Sequence, residues 1–151
     1  MRSDSRLSRM LHVLLHMARH EGPMTSEVIA TMLRTNPVVV RRTMAGLRDA
    51  GYVRSEKGHG GGWVLACDFD RISLLDVHRA VGGPQLFAIG AESDKPHCLV
   101  EKLVNEAVAD ALGEAEALLL ARFGSVSLGA LARDFDARYA CLPQAPPASS
   151  P

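Results

Sequence analysis

The chain has 151 residues, 47% of them apolar and 23% charged, and a formal net charge of zero. Such a composition suits an ordinary globular protein of one small domain plus an accessory segment, or of one larger domain; no apolar run is long enough to span a bilayer, and the polar start, Met1 to Arg9, does not read as a signal peptide. Three scattered cysteines, Cys67, Cys98 and Cys141, offer no CxxC pair and no disulfide framework, which fits a reducing cytoplasm.

Leu7, Met10, Leu11, Leu14 and Met17 recur at helical spacing and predict a first helix from about Ser5 to Arg19, ended by Gly22-Pro23. Thr25 suits the N-cap of a short second helix, Ser26 to Leu33, with Val28, Ile29, Met32 and Leu33 expected inward. Arg34-Thr35-Asn36-Pro37 reads as a turn. Asn36 caps a third helix there, and Pro37 takes its first position, where a missing N–H costs nothing. The third helix runs from Pro37 to Ala50, and Gly51 stops it.

Two short strands, Tyr52 to Glu56 and Trp63 to Leu65, then flank Lys57-Gly58-His59-Gly60-Gly61-Gly62, a basic, glycine-rich hairpin tip. Ser73 caps a helix from Leu74 to Val81, and Gly82-Gly83-Pro84 breaks it. Gln85 to Lys95 has no clear period and reads as a linker. A long helix is expected from about His97 to Phe123, and a last one from Leu128 to Tyr139 with Ser127 as cap. The tail, Leu142 to Pro151, is proline-rich and expected to be disordered.

The predicted fold is therefore mainly α with a small β-hairpin wing: a winged helix-turn-helix plus a long C-terminal dimerisation helix. It divides into a DNA-binding domain at 1–66, a connecting helix and loop at 67–96, the dimerisation helix with the terminal short helix at 97–140, and the tail at 141–151.

Charge is distributed to match. Residues 1–66 carry ten Lys and Arg against five Asp and Glu; residues 67–151 carry seven against twelve. A neutral total thus hides one basic half and one acidic half. On the third helix Val40, Met44 and Leu47 face one side, and Val38, Arg41, Arg42, Ala45 and Arg48 the other. Taken alone, the second face is a solvated surface. Set between a helix-turn and a basic wing, it is the face a major groove accepts: arginine forks onto guanine or clamps a phosphate, and a small Ala45 permits close approach. Thr35, Asn36 and Pro37 at the helix start, and Lys57 and His59 on the wing, complete the candidate double-stranded DNA contacts. A phosphate-cradling nucleotide loop would need its glycines to open onto a helix, whereas these lead into Trp63-Val64-Leu65, a strand.

The long helix has two apolar stripes: Val100, Val104, Ala107, Ala111, Ala115 and Leu118, then Leu103, Val108, Leu112, Leu119 and Phe123. One is expected to pack on its own winged helix and the other on a second copy. A two-fold dimer would present two recognition helices to a palindromic operator. No nucleophile–base pair is recognisable, so no enzyme is expected. His12, His16 and His20 recur at a spacing that can bind metal on one helix face, but no carboxylate accompanies them, and no metal is expected.

Leu47-Arg48-Asp49-Ala50-Gly51-Tyr52-Val53, followed by Gly58 to Leu65, resembles the wing signature of the Rrf-type winged-helix regulators, the family of IscR, NsrR and CymR. Ile72 to Val77, Ala80 to Gly83, His97 to Val100 and Ser127 to Leu131 extend the resemblance over about residues 1–135. It implies a homodimer, promoter binding and, in most members, repression. Many relatives hold an iron–sulfur cluster on three cysteines before the long helix. Here only Cys98 lies there, too few thiolates for a cluster, so the sequence looks like a cluster-free branch and no cofactor is expected. Cys98 beside His97 at a helix start is the candidate redox sensor, because a helix N-terminus and an imidazolium both favour thiolate; the plain alternative is an idle cysteine. A small-molecule signal entering between the winged helix and Gln85 to His97 is the other candidate input.

Overall fold

The computed structural model describes residues 4–89 and 98–142. Within them the order is α1 (Arg6–Met17), α2 (Ser26–Leu33), α3 (Pro37–Asp49), β1 (Val53–Glu56), β2 (Gly62–Leu65), a 3-10 turn (Phe69–Arg71), α4 (Leu74–Ala80), α5 (Leu99–Gly124) and α6 (Leu128–Ala140). The mainly helical class with one antiparallel hairpin is as expected. The tail beyond Leu142, and the linker from residue 90, lie outside the described residues.

Local chemistry fixes the helix starts. The Thr25 hydroxyl accepts from Val28 N–H at 3.2 Å, and the Asn36 side chain accepts from Val38 N–H at 2.8 Å ahead of Pro37. Ser73 and Asp76 form a reciprocal capping box, and Ser127 caps α6 through Ala130 N–H. Each such cap stabilises by about 1 kcal/mol. Gly51 carries φ +81 just past α3, the left-handed stop that only glycine adopts without strain.

The core sits under the helix-turn-helix. Val13 and Leu14 of α1, Ile29 of α2, Met44 and Leu47 of α3, and Val77 of α4 are fully buried. The wing is clamped to it by Trp63, whose indole N–H donates to the buried Ser26 hydroxyl at 3.0 Å, while Trp63 and Met24 exchange backbone hydrogen bonds at 2.8 and 2.9 Å. In the hairpin Val53 faces Leu65 and Glu56 faces Gly62. At the far side, Leu74 N–H reaches the Val126 carbonyl and Leu128 N–H the Ile72 carbonyl, tying the start of α4 to the start of α6.

Three expectations need correction. α1 ends at Met17, so His20 lies in the turn beyond it and bonds near the Gly22 carbonyl; the three histidines do not share a helix face. Val28 is 50% exposed and Ala30 takes the inward place, because both stand at the edges of an apolar face centred on Ile29 and the packing of the helix decides which edge is covered. The long helix does not lay one stripe along its own winged helix: only its C-terminal end meets α4, with Gly124 against Leu75 and Phe123 beside His78. Neither α1 nor α6 covers the rest, since α6 packs on α1 and the 3-10 turn.

The joint between α3 and α4 leaves no room for a side chain. A Cβ built at Gly46 would fall 2.2 Å from the Ala80 carbonyl oxygen, a backbone atom that cannot swing away. Gly46→Ala is therefore expected to lower stability by about 2 kcal/mol despite the better helix propensity of alanine, read as a shift in the urea midpoint at constant slope.

Candidate nucleic-acid interface

α3 displays the face expected of it. Val40, Met44 and Leu47 are buried, whereas Arg41, Arg42 and Arg48 are exposed, Val38 is 58% exposed and Ala45 is half-buried. Asn36 is exposed at the cap, with Pro37 half-buried behind it. Thr35 is half-buried and lines a crevice of about 30 Å³ between α1 and α3, beside Arg9. On the wing, Lys57 and His59 are both exposed, and Gly58 and Gly60 carry φ +94 and +78, so the tip can turn only with glycine at these points. The structure thus groups the α3 residues on one open face and puts Lys57 and His59 at the tip of the hairpin that follows.

The arginines are not equivalent. Arg41 pairs with Glu27 of α2 at 2.7 Å, and Arg48 with Asp49 at 3.0 Å. Arg42 makes no ion pair among the described residues and stands ready for an anion. Glu27 was not legible as a site residue, because it lies 14 residues from Arg41 and only the fold brings them together. Arg54 of β1, exposed and paired with Glu56 at 3.1 Å, is a further cation beside the wing that the alternation of the strand could have flagged.

Arg34 is a second omission. It closes α2 with φ 51 and ψ 51, the left-handed region where an L side chain costs about 1–2 kcal/mol. The helix-turn-helix bend demands that conformation, and glycine or asparagine would suit it better; a cation sits there instead. Arg34→Gly is expected to raise stability by about 1 kcal/mol in thermal or urea unfolding. The same change should lower DNA affinity if the guanidinium meets a phosphate.

The thiols are dispersed. Cys67 follows β2, and burial, then the Asp68 charge, push its pKa up, which makes it a poor thiolate. Cys98 is exposed and caps α5, its sulfur accepting from Glu101 N–H at 3.4 Å; Cys141 is exposed after α6. His97 lies outside the described residues. On α1, His12 and His16 are 4.7 Å apart, and burial together with the His12 and Arg19 charges holds the His16 pKa down. Among the described residues no three His, Cys, Asp or Glu side chains gather at metal-binding distance. The three thiols, set apart at the exit of β2, the start of α5 and the end of α6, do not make the thiolate set of an iron–sulfur cluster. Among them, too, no helix is long and apolar enough to cross a membrane.

Residues 3–134 match the Rrf2 family, described as iron-dependent transcriptional regulators. YwnA of Bacillus subtilis, named as an HTH-type transcriptional regulator, is 40% identical over 106 residues, 70% of this chain and 77% of that protein. A crystal structure described as that of a DNA-binding protein superposes with TM-score 0.67 at 32% identity, covering 84% of this chain and 98% of the other. The structure of CymR, the global cysteine regulator of B. subtilis, superposes with TM-score 0.56 at 24% identity over 88% of this chain and 97% of the other, a likeness of fold. With its capped helix α3, its glycine-rich hairpin and a family match over most of its length, the chain belongs to the Rrf2 family of winged-helix transcriptional regulators.

Proposed function

We propose that the chain acts as a cytoplasmic homodimer that binds a palindromic promoter operator in double-stranded DNA and represses transcription. The observation that carries the reading is the outer face of α3, where Arg41, Arg42 and Arg48 stand exposed on a helix whose other side is locked into the core. Thr35, Asn36, Pro37 and Val38 lead that helix into the major groove, Ala45 lets it approach, and Lys57 and His59 reach the flanking backbone or minor groove. Homodimerisation is supported by α5, none of whose 26 residues is buried in the single chain.

Selection from random-sequence duplexes tests the reading. The expected product is an inverted repeat whose half-sites are spaced by whole helical turns. A promoter carrying it should be silenced in a purified transcription assay. If no duplex is enriched at low ionic strength, the proposal fails.

A redox input at Cys98 is a second reading. Its support is the exposure of that thiol at the cap of α5. Oxidation there by peroxide would turn the small cap sulfur into a bulkier, more polar group and so alter the start of the dimer helix. Operator affinity of Cys98→Ser with and without peroxide decides it: equal peroxide responses in variant and parent end the idea.

A further inference from the structure

We propose that the cavity between the start of α1, the buried face of α4, the segment that follows α4 and the C-terminal end of α5 is the effector site of this regulator. Its ligand is a neutral aromatic molecule bearing a hydroxyl donor. The regulatory consequence rests on the DNA-binding function proposed above; the binding itself does not.

The cavity measures about 640 Å³. That is well within the range of small-molecule sites, roughly 300–1,000 Å³. Leu7 of α1, Phe87 and Ile89 beyond α4, and Phe123 of α5 give it apolar and aromatic walls. Among the described residues, and apart from the Gln85 amide, the polar side chains lining it are Asp4 and His78. Among the described residues no lysine or arginine lines it, so none of them brings a fixed positive charge to neutralise an anion. Asp4 is already occupied by the Arg6 guanidinium at 2.6 Å. Of the two other polar groups, the Gln85 amide is exposed to water and His78 is buried, so His78 is the one whose capacity solvent does not meet.

His78 is 6% exposed, and its Nε2 lies 3.0 Å from the Pro84 carbonyl oxygen. A carbonyl only accepts, so in this contact Nε2 carries the proton. In the neutral ring Nδ1 is then an acceptor, and it is buried without a partner. Buried acceptors are nearly always paired, and an unpaired one asks for an explanation. Nδ1 is closed to bulk water, so solvent does not satisfy it. A hydroxyl delivered from the cavity, with a small tilt of the ring, supplies the missing donor. The Phe123 ring, centred 6.0 Å from that of His78, offers an aromatic wall beside it.

The site is joined to the recognition helix. Two residues after His78, the Ala80 carbonyl presses on Gly46 of α3 without room for even one carbon between them. Arg6 of α1 donates to the Val81 carbonyl at 3.1 Å, holding the same end of α4. Close-packed contacts of this kind transmit a displacement rather than absorb it. A ligand that reseats α4 must then move α3, and the two bound states differ in operator affinity by linkage.

The test uses the full chain with β-naphthol as probe, against naphthalene, which lacks the donor, and β-naphthoate, which is anionic. Long-range proton–nitrogen correlation of the histidine rings reports Nδ1 of His78 directly. Expected are saturable β-naphthol binding with a shift of the His78 Nδ1 resonance, naphthalene about tenfold weaker, and no naphthoate binding. Operator affinity should change at least about fivefold on saturation. His78→Phe keeps a ring and removes the acceptor, so the advantage of naphthol over naphthalene should vanish. Should that variant not fold, Ile89→Arg at the exposed rim should block all binding instead. Equal binding of naphthol and naphthalene, an unmoved Nδ1 resonance, or saturable binding with unchanged operator affinity would overturn the assignment. Discriminating naphthol binding by a protein that takes up no DNA would support the cavity and overturn the regulator function instead.

Discussion

Arg42→Ala is expected to weaken operator binding by about two orders of magnitude or more, with the fold intact. The side chain is exposed, unpaired among the described residues, and on the outer face of α3, so its removal costs the core nothing. A bidentate arginine–guanine contact gives about 1–3 kcal/mol of discrimination, and in a symmetric complex it is lost in both half-sites. Arg41→Ala should cost less. Its guanidinium must first leave Glu27, and an exposed pair of this kind is worth about 0–1 kcal/mol. Glu27→Gln should accordingly strengthen binding by a few-fold and steepen its salt dependence, as a freed cation reaches phosphate. Salt titrations separate the roles. Loss of a phosphate contact lowers the log–log slope by about one and weakens all sequences alike. Loss of a base contact leaves the slope and relaxes one position of the site. An Arg42→Ala protein with parental affinity and specificity would remove α3 from the interface.

What could be seen in the sequence follows from how local its cause is. Thr25, Asn36-Pro37, Gly51, Ser73 and Ser127 act on backbone groups within a few residues, and each ends or begins a helix where the sequence places it. The buried stripe of α3 was legible because thirteen residues contain more than three full turns of the pattern. Features that depend on distant partners were hidden. Ser26 is buried because Trp63, 37 residues away, bonds to it. Arg41 is held by a carboxylate 14 residues back. Arg34 has a left-handed backbone because α2 and α3 must meet at an angle, a demand no property of arginine reveals. In α5 periodicity correctly marked apolar stripes, but a stripe does not say which body covers it, and the assignment of one stripe to the winged helix went astray there.

That uncovered helix carries the other large effect. Leu103→Glu together with Val104→Glu is expected to give a folded monomer that has lost operator binding by roughly 10²–10⁴-fold. In the single chain Leu99 and Val100 are each 70% exposed, Leu103 56% and Val104 55%, all on one stretch of α5. A helix of 26 residues with no buried side chain, packed on its own chain only at its C-terminal end, has little besides its intrinsic propensity to hold the rest of it, and contiguous exposed apolar surface of this kind marks an interaction face. A second copy is the occupant that the proposed operator symmetry requires. Two glutamates per chain at that face must be desolvated next to their own symmetry mates, so like charges meet in the middle of the interface. The winged-helix core, which neither position touches, should keep its unfolding midpoint only to the extent that dimerisation did not contribute to it; the parent's midpoint should rise with protein concentration and the variant's should not. Sedimentation velocity reads the mass, and a single half-site duplex reads the intrinsic affinity of one winged helix. If the variant sediments as a dimer, α5 is not the joint. If it is monomeric yet binds the full operator as tightly as before, the paired presentation of two recognition helices is not what sets the affinity. If it is monomeric, binds the half-site like one arm of the parent and fails on the full site, the long helix does no more than hold two readers at the spacing of the groove.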